Sequence, residues 1–514
     1  MQYTNPIVKG FYPDPSICRV NEDYYIVTSS FGYYPGVPIF HSKDLVNWKK
    51  IGYCLSRESQ LPLFQSHEFP KRLVGKTGIY APTLRYHNGR FYMVTTNQAH
   101  YRNFVVWAEK PEGPWSEPLV LEWGGIDPSL LFDDDGKVYI SGTSAGHGEP
   151  EGIYQAEIDL ETGKLVSARK LIWEGTGGPY PEGPHLYRIG NLYYLVIAEG
   201  GTEYGHMVTV ARSNHPYGPF ECCPHNPVLS HRNTNLPVQA TGHADLVQAH
   251  DGSWWAVCLG VRPTGYPYHH NLGRETFLVP VMWSEDGWPV FGDQGRIHLA
   301  MEAPSFFHGY VEMPVRRDRY DFDSGTLGNE WNSIRNSMEG ICSLKDRPGW
   351  LALYGTEFGL DDLEAKAFVG RRQQDLICRV TTLMDFSPMK EGEEAGLTAF
   401  MNENSHYDIA VTGTNGKRLV MFRRRIGSLW KIEREDEIVS DSIILSIRAD
   451  ETDYRFTYTL PGGEEIEIGK GGIFYLSTEV AGGYTGVYFG MYATGNGKDF
   501  QYPAYFDYFD YQID

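Results

Sequence analysis

Five times in its first three hundred residues the chain repeats one short pattern, and that repeat sharply limits how it can fold. The copies begin at Asp14-Pro15-Ser16-Ile17, Ala81-Pro82-Thr83-Leu84, Asp127-Pro128-Ser129-Leu130, Gly183-Pro184-His185-Leu186 and His243-Ala244-Asp245-Leu246. Ten or eleven residues after the second position of each comes an aromatic in an apolar run: Tyr25, Tyr92, Tyr139, Tyr194 and Trp255. Spacings of 46 to 67 residues between openings, each holding several short strand-like segments, are the pattern of a β-propeller. Five copies predict five blades. The innermost strands of a propeller face one axis, so equivalent positions converge although they are remote in the chain. Three copies open on or beside a carboxylate, at Asp14, Asp127 and Glu182, which predicts that these acids meet at one end of a central funnel.

Each repeat reads as a four-stranded blade. In the second, Thr83–Tyr86 is an inner strand, Asn88-Gly89 a hairpin turn, and Phe91–Thr95 and Phe104–Ala108 the next two strands. The third inserts Asp133-Asp134-Asp135-Gly136 at its first hairpin, which reads as a solvated turn rather than a calcium loop. The repeat stops near residue 300. A Pro-containing connector over 301–318 leads into a second region, 319–514, of alternating strands such as Arg418–Arg424, Ile443–Arg448 and Asp453–Thr459. That texture predicts two stacked antiparallel sheets, a jelly-roll-like β-sandwich, ending in an aromatic cluster from Tyr502 to Tyr511 that reads as a docked final strand. The expected class is all-β: a five-bladed propeller followed by a sandwich.

Composition narrows the partners. With 45 Lys and Arg against 65 Asp and Glu the net charge is −20, which disfavours nucleic acid and anionic lipid and suits a neutral substrate. The seven cysteines are scattered without a C-x-x-C pair, and the adjacent Cys222-Cys223 reads as two reduced thiols. The N-terminus has neither a basic start nor an apolar run, so the expected location is the cytoplasm, with no membrane span. A homo-oligomer is compatible with everything in the sequence.

Asp14 and Asp127 occupy the same register, where blades two and four carry Ala81 and Gly183, so the fold itself does not demand a carboxylate there. Glu182 stands one position earlier, among Pro179, Pro181, Gly183 and Pro184, and its side chain is expected to leave the backbone in a different direction. Three clustered carboxylates divide into roles. One stays ionised to draw a proton from water, and one, its pKa raised by burial and like charge, holds a proton for a leaving group. This is the apparatus of glycoside hydrolysis without a covalent intermediate.

These residues carry a resemblance. Gly10-Phe11-Tyr12-Pro13-Asp14-Pro15-Ser16-Ile17, Gly36-Val37-Pro38-Ile39, His41-Ser42-Lys43-Asp44-Leu45-Val46-Asn47-Trp48 and Pro181-Glu182-Gly183-Pro184-His185 resemble glycoside hydrolase family 43. Gly242-His243-Ala244-Asp245 and Gly273-Arg274-Glu275-Thr276-Phe277 resemble the branch that holds β-xylosidases and α-L-arabinofuranosidases and carries a C-terminal sandwich. The resemblance implies that Asp14 is the general base, Glu182 the general acid and Asp127 the residue that tunes and orients Glu182, with inversion at the anomeric carbon. It further implies that Arg274 binds the terminal sugar and that Phe31 lines its pocket. His243 would lie beneath the site, where a structural divalent cation is an option although none is required. Phe506 would reach over the funnel from the sandwich and make the pocket blind.

Where many β-xylosidases of the family read Gly-Ile-Trp-Ala-Pro, this chain has Gly78-Ile79-Tyr80-Ala81-Pro82, which places Tyr80 near the pocket entrance. The expected activity is therefore exo-acting release of terminal arabinofuranose, with β-D-xylosidase activity beside it, from arabinose- or xylose-containing oligosaccharides. A strict β-D-xylosidase, an endo-acting arabinanase and a carbohydrate-binding propeller without turnover are the alternatives.

Overall fold

The computed structural model describes residues 1–63, 74–146, 148–311, 317–364, 366–498, 500 and 502–513. The middle of the expected connector, 312–316, lies outside the described residues. Five four-stranded antiparallel sheets form the blades, each of strands consecutive in the chain except the first, where Tyr33–Tyr34 intervenes and leaves the blade. Their inner strands are Ser16–Val20, Thr83–His87, Ser129–Phe132, Glu182–Ile189 and Gln239–Gln248. The hairpin turn at Asn88-Gly89 has both residues at positive φ, 47° and 82°, the geometry that matches strand twist in a two-residue loop.

The ring is closed by its ends. Gln2–Thr4 pairs with Ala300–Glu302. The Asn5 side chain accepts from the Leu278 amide and donates to its carbonyl, both at 2.9 Å, like one more residue of a strand. At the axis, the carboxylate of Asp245 is fully buried and gathers four blades. It accepts from Ser16 Oγ at 2.6 Å and the Ile17 amide at 3.0 Å in blade one, and from Arg85 at 2.8 and 3.1 Å in blade two. Tyr187 Oη of blade four donates to it at 2.5 Å. Blade three joins through His185, whose Nδ1 lies 3.0 Å from Arg85 Nη2 and 3.1 Å from Ser129 Oγ. Burial alone would raise the Asp245 pKa, but the Arg85 guanidinium and these donors hold it far below the carboxylate range.

The acidic hairpin of blade three differs from a freely solvated turn. Asp133 is buried and accepts from Tyr193 Oη at 2.6 Å and Arg188 Nη1 at 3.1 Å, tying blade three to blade four, while Asp134 and Asp135 face solvent.

The second region is a two-sheet sandwich of nine and six strands. Its six-stranded sheet includes Glu394–Asn402, Ser405–Thr414 and Lys417–Ile426; the other includes Cys378–Asp385, Ser442–Ala449 and Asp453–Thr459. Residues such as Leu397, Ile409, Leu445 and Phe456 from the two inner faces make one core. The terminal aromatic cluster is docked as expected: Phe509–Ile513 pairs with both Arg317–Tyr320 and Cys378–Asp385.

The two domains are knitted together. Tyr33–Tyr34 of the propeller pairs with Ser333–Ile334 of the sandwich, and the Tyr33 ring stacks on Tyr488 at 3.9 Å. Arg372 donates to the Phe11 carbonyl at 2.7 Å with its guanidinium 4.2 Å from the Tyr12 ring centre.

Replacing Asp245 by Ala leaves Arg85 without its buried partner and removes a link shared by four blades. The expected loss is about 3–5 kcal/mol of unfolding free energy. The exposed Lys417–Glu437 pair, broken by Glu437→Ala as a control, should cost no more than about 1 kcal/mol in the same denaturant titration.

Candidate active site

Four of the five repeat openings share one backbone conformation: Asp14, Asp127, Gly183 and His243 have φ of 53°, 54°, 57° and 51°. Glycine adopts this left-handed region readily, whereas Asp and His there cost about 1 kcal/mol or more each. Ala244 and the prolines at 15, 128 and 184 follow, and the strands then run down the axis. The side chains at these openings therefore turn into the mouth of the funnel instead of alternating along the strand. Glu182 is aimed by a different device. The register of its strand against Leu192–Glu199 slips between Glu182 and His185, a bulge that redirects the carboxyl.

The three predicted acids line one pocket of about 390 Å³, together with Phe31, Tyr80, His243 and Arg274. Asp14 is buried, with Oδ1 2.7 Å from Arg274 Nη1, Oδ2 2.5 Å from Ser29 Oγ, and His243 Nδ1 4.0 Å from Oδ1. Burial pushes its pKa up, but Arg274, His243 and Ser29 outweigh that and hold it below the carboxylate range. Glu182 has no such partner among the described residues: burial and the charge of Asp14 push it up to about 7, against the pull of Arg274. Asp127 is also raised, first by burial and then by Glu182 and Asp14, although its Oδ2 accepts the Gly183 amide at 3.1 Å. Asp127 and Glu182 thus behave as a pair that retains a proton around neutrality, facing an Asp14 that does not.

Other residues hold this arrangement. Glu199, wholly buried, accepts from the amides of Thr176 and Gly178 and from Thr209 Oγ1, clamping the loop that leads to Glu182. Arg274 is shared among Asp14, Thr202 Oγ1 at 2.9 Å and the Tyr484 carbonyl at 3.4 Å. Burial leaves His243 with a lowered pKa and pushes His206 and His185 down to about 3, so the base of the site is lined by neutral imidazoles.

A structural divalent cation near His243, an option in the sequence, would need donors. His185 Nε2 and His206 Nε2 are buried without hydrogen-bond partners among the described residues, and the His185 and His243 rings lie 6.4 Å apart. Among the described residues, no group of three or more His, Cys, Asp or Glu side chains could hold a metal ion.

One predicted site residue lies elsewhere. Phe506 sits in Ala504–Phe506, paired with Leu351 and Met384, and its fully buried ring belongs to the sandwich core. Strand alternation sends Ala504 and Phe506 inward and leaves Tyr505 half-buried. The sandwich reaches the pocket instead through Tyr484. Its amide donates to the Gly75 carbonyl at 2.9 Å, and its ring lies 5.7 Å from Phe31 and 6.2 Å from Tyr80. Two glycines make the approach feasible: a Cβ on Gly486 would lie 2.3 Å from the Leu272 carbonyl oxygen, and one on Gly483 would lie 3.0 Å from that of Gly75. Thr202, Glu203 and Tyr180 complete the wall and were not read from the sequence. The signal available for Tyr484 was its setting, Gly482-Gly483-Tyr484-Thr485-Gly486.

Comparison with known proteins agrees with this geometry. The model of glycosyl hydrolases family 43 matches residues 3–289, and that of the beta xylosidase C-terminal Concanavalin A-like domain matches 319–512. A non-reducing end alpha-L-arabinofuranosidase of Bacteroides ovatus is 44% identical over 99% of this chain and 94% of its own length. A xylosidase/arabinosidase of Butyrivibrio fibrisolvens is 40% identical over 96% of each chain. Among solved structures, a family 43 protein of the Bacteroides ovatus xyloglucan locus superposes over the whole of both chains with a TM-score of 0.93 at 42% identity. A xylan beta-1,4-xylosidase of Bacillus halodurans covers 99% of this chain and 100% of its own, with a TM-score of 0.91 at 34% identity. A five-bladed propeller whose repeat openings gather three acids in one pocket, joined to a Concanavalin A-like sandwich that supplies a pocket wall, therefore belongs to glycoside hydrolase family 43, and this chain is a member of it.

Proposed function

We propose that the chain is an exo-acting, inverting hydrolase that removes terminal pentoses from oligosaccharides, α-L-arabinofuranose foremost and β-D-xylose beside it. The observation that carries this reading is the split between two carboxyls in one pocket. Asp14 is held ionised by Arg274, and Glu182 is lifted to about 7. In the proposed reaction Asp14 takes a proton from a water as that oxygen bonds to the anomeric carbon. The glycosidic C–O bond breaks as Glu182 gives its proton to the departing oxygen. Asp127 shares charge with Glu182 and keeps the pair protonated until then. Solvent then returns a proton to Glu182 and removes one from Asp14.

The pocket walls support exo action. Phe31, Tyr80 and the sandwich residue Tyr484 crowd one side, which favours a single terminal ring over a groove for an internal segment. Support for an arabinose preference comes from the relatives, of which one is named for arabinofuranoside and another for both sugars. A binding-only propeller would have no use for an acid held protonated beside one held ionised. The seven cysteines, all free thiols with Cys222 and Cys223 among them, support placement in a reducing compartment.

Glu182→Ala should lower kcat/KM by roughly 10²–10⁴-fold on glycosides with poor leaving groups and much less on activated aryl glycosides. Equal losses on both would remove Glu182 from the acid role. The pH profile of kcat/KM should fall on the alkaline side with an apparent pKa of about 7, as Glu182 loses its proton. The acid limb should lie below the usual carboxylate range, where Asp14 is neutralised. Asp127→Asn removes a like charge and should move the alkaline limb to lower pH. Stability should follow the same titration. A carboxyl whose folded pKa is raised stabilises the fold below its unfolded pKa and loses that contribution as pH rises through the folded value. Glu182→Gln should therefore raise the unfolding free energy at pH 8 by about 1–3 kcal/mol in a denaturant titration, with the gain fading towards pH 4.

A further inference from the structure

The floor of the pocket is buried, whereas its exposed lining is Tyr180, 62% accessible, and Glu203 on the blade-four loop. With Phe31, Tyr80 and Tyr484 on the other side, whatever is attached to the bound terminal ring leaves past these residues. Directly beyond Glu203 comes the half-buried Tyr204, and there a series of aromatics starts that continues through the half-buried Tyr268. The Tyr204 and Tyr268 rings are 5.8 Å apart and inclined at 30°. The next residue, His269, sets its ring edge-on to Phe474 at 5.2 Å, and Phe474 lies 5.6 Å from Tyr475. Phe474 and Tyr475 belong to the sandwich and are 40% and 41% accessible. The series thus starts one residue beyond the pocket lining and crosses a domain boundary.

The crossing is built to be rigid. Glu479 accepts from Tyr204 Oη at 2.6 Å and from the His270 amide at 3.0 Å, and lies 2.8 Å from His270 Nδ1. The Thr478 amide donates to the His270 carbonyl at 3.2 Å. Both sides of the boundary are therefore fixed against each other immediately behind these rings. Aromatic rings that are half-buried (Tyr204, Tyr268) or exposed (Phe474, Tyr475) at a rigid site beside a binding pocket mark a recognition surface rather than core that failed to be covered. Their ligand must offer flat apolar faces edged with hydroxyls and carry no negative charge, because Glu203 and Glu479 flank the path and the chain as a whole carries −20.

We propose that Tyr204, Tyr268, Phe474 and Tyr475 form an extended binding surface for the leaving-group side of an oligosaccharide, so that the sandwich domain holds the sugars beyond the scissile bond. This rests on the hydrolase reading given above, and it adds that the enzyme senses chain length. Sugar rings stack by their C–H faces on the aromatic series while the terminal ring occupies the pocket. The surface acts on binding and not on chemistry, since none of the four rings reaches the acids.

The test compares the wild type with Tyr268→Ala/Phe474→Ala on an aryl xyloside, an aryl arabinofuranoside and linear xylo-oligosaccharides of two to six sugars. In the wild type, kcat/KM should rise with length. In the variant that rise should flatten, with KM for the longest substrates increased roughly 3- to 10-fold, kcat unchanged and both aryl glycosides cleaved as before. Calorimetric binding of the same oligosaccharides to Glu182→Ala, with and without the two aromatic substitutions, should show the same fold-change in affinity without relying on turnover. An unaltered length dependence together with unaltered affinity overturns the proposal. So does a variant that changes only the sedimentation coefficient, because the patch would then join two copies of the chain. Inactivity of the wild type on both aryl glycosides would overturn the hydrolase reading, leaving the calorimetric comparison to decide the surface on its own.

Discussion

The propeller holds its site in place through one buried carboxylate. Asp245 is reached by donors from blades one, two and four, and Arg85 passes the connection on to His185 and so to blade three. Such a group is costly to bury alone and stabilising only when every lone pair is used, so it fixes the relative height and rotation of the inner strands. The repeat openings stand two residues before this ring of contacts. Asp14 precedes Ser16, Asp127 precedes Ser129, Gly183 precedes His185 and His243 precedes Asp245. Positions fixed on the axis by hydrogen bonds thereby fix the catalytic face one step above it.

That rigidity is what lets like charges be crowded together. Asp14, Asp127 and Glu182 repel one another in a buried pocket, and two of them sit in a backbone conformation unfavourable to their residue type. Left to relax, the cluster would separate or draw in counter-ions. It is prevented from doing so by Arg274, which neutralises Asp14 in direct contact, and by Glu199, which clamps the loop before Glu182. The repulsion that remains falls on Glu182 and Asp127, and it is this residue of unfavourable energy that keeps a proton available at neutral pH.

Much of this was legible in the sequence because the fold is periodic. Five equivalent openings gave the blade number, and the presence of Asp at only some of them marked Asp14 and Asp127 as serving something other than the backbone. The same periodicity held a further signal, a polar residue two positions into every copy: Ser16, Thr83, Ser129, His185 and Asp245. Read as a ring about the axis, it announces the hub. The sandwich contribution was misplaced for a physical reason. Phe506 and Tyr484 both sit in aromatic, strand-rich sequence, and which one reaches the pocket depends on how near two backbones can come. That is decided by Gly75, Gly483, Leu272 and Gly486, remote pairs whose contact no local pattern encodes. The left-handed openings escaped for a related reason: Gly183 alone hints at positive φ, while Asp and His at the matching positions reveal it only through their shared register.

The docking of the second domain is therefore part of the chemistry rather than an accessory to it. The Gly273–Gly486 contact, where a Cβ on Gly273 would lie 3.1 Å from the Gly486 Cα, is adjacent to Arg274. The Tyr484 carbonyl accepts from that same guanidinium at 3.4 Å. The position of Arg274 is thus set jointly by blade five, by Thr202 of blade four and by the sandwich. A guanidinium drawn slightly away from Asp14 would raise the pKa of Asp14, its direct partner, more than that of Glu182, so the gap between the two carboxyls would narrow. The separation between acid and base that the proposed reaction uses is therefore maintained across the domain interface, and a propeller stripped of its sandwich would keep the three acids while losing the restraint that makes them unequal.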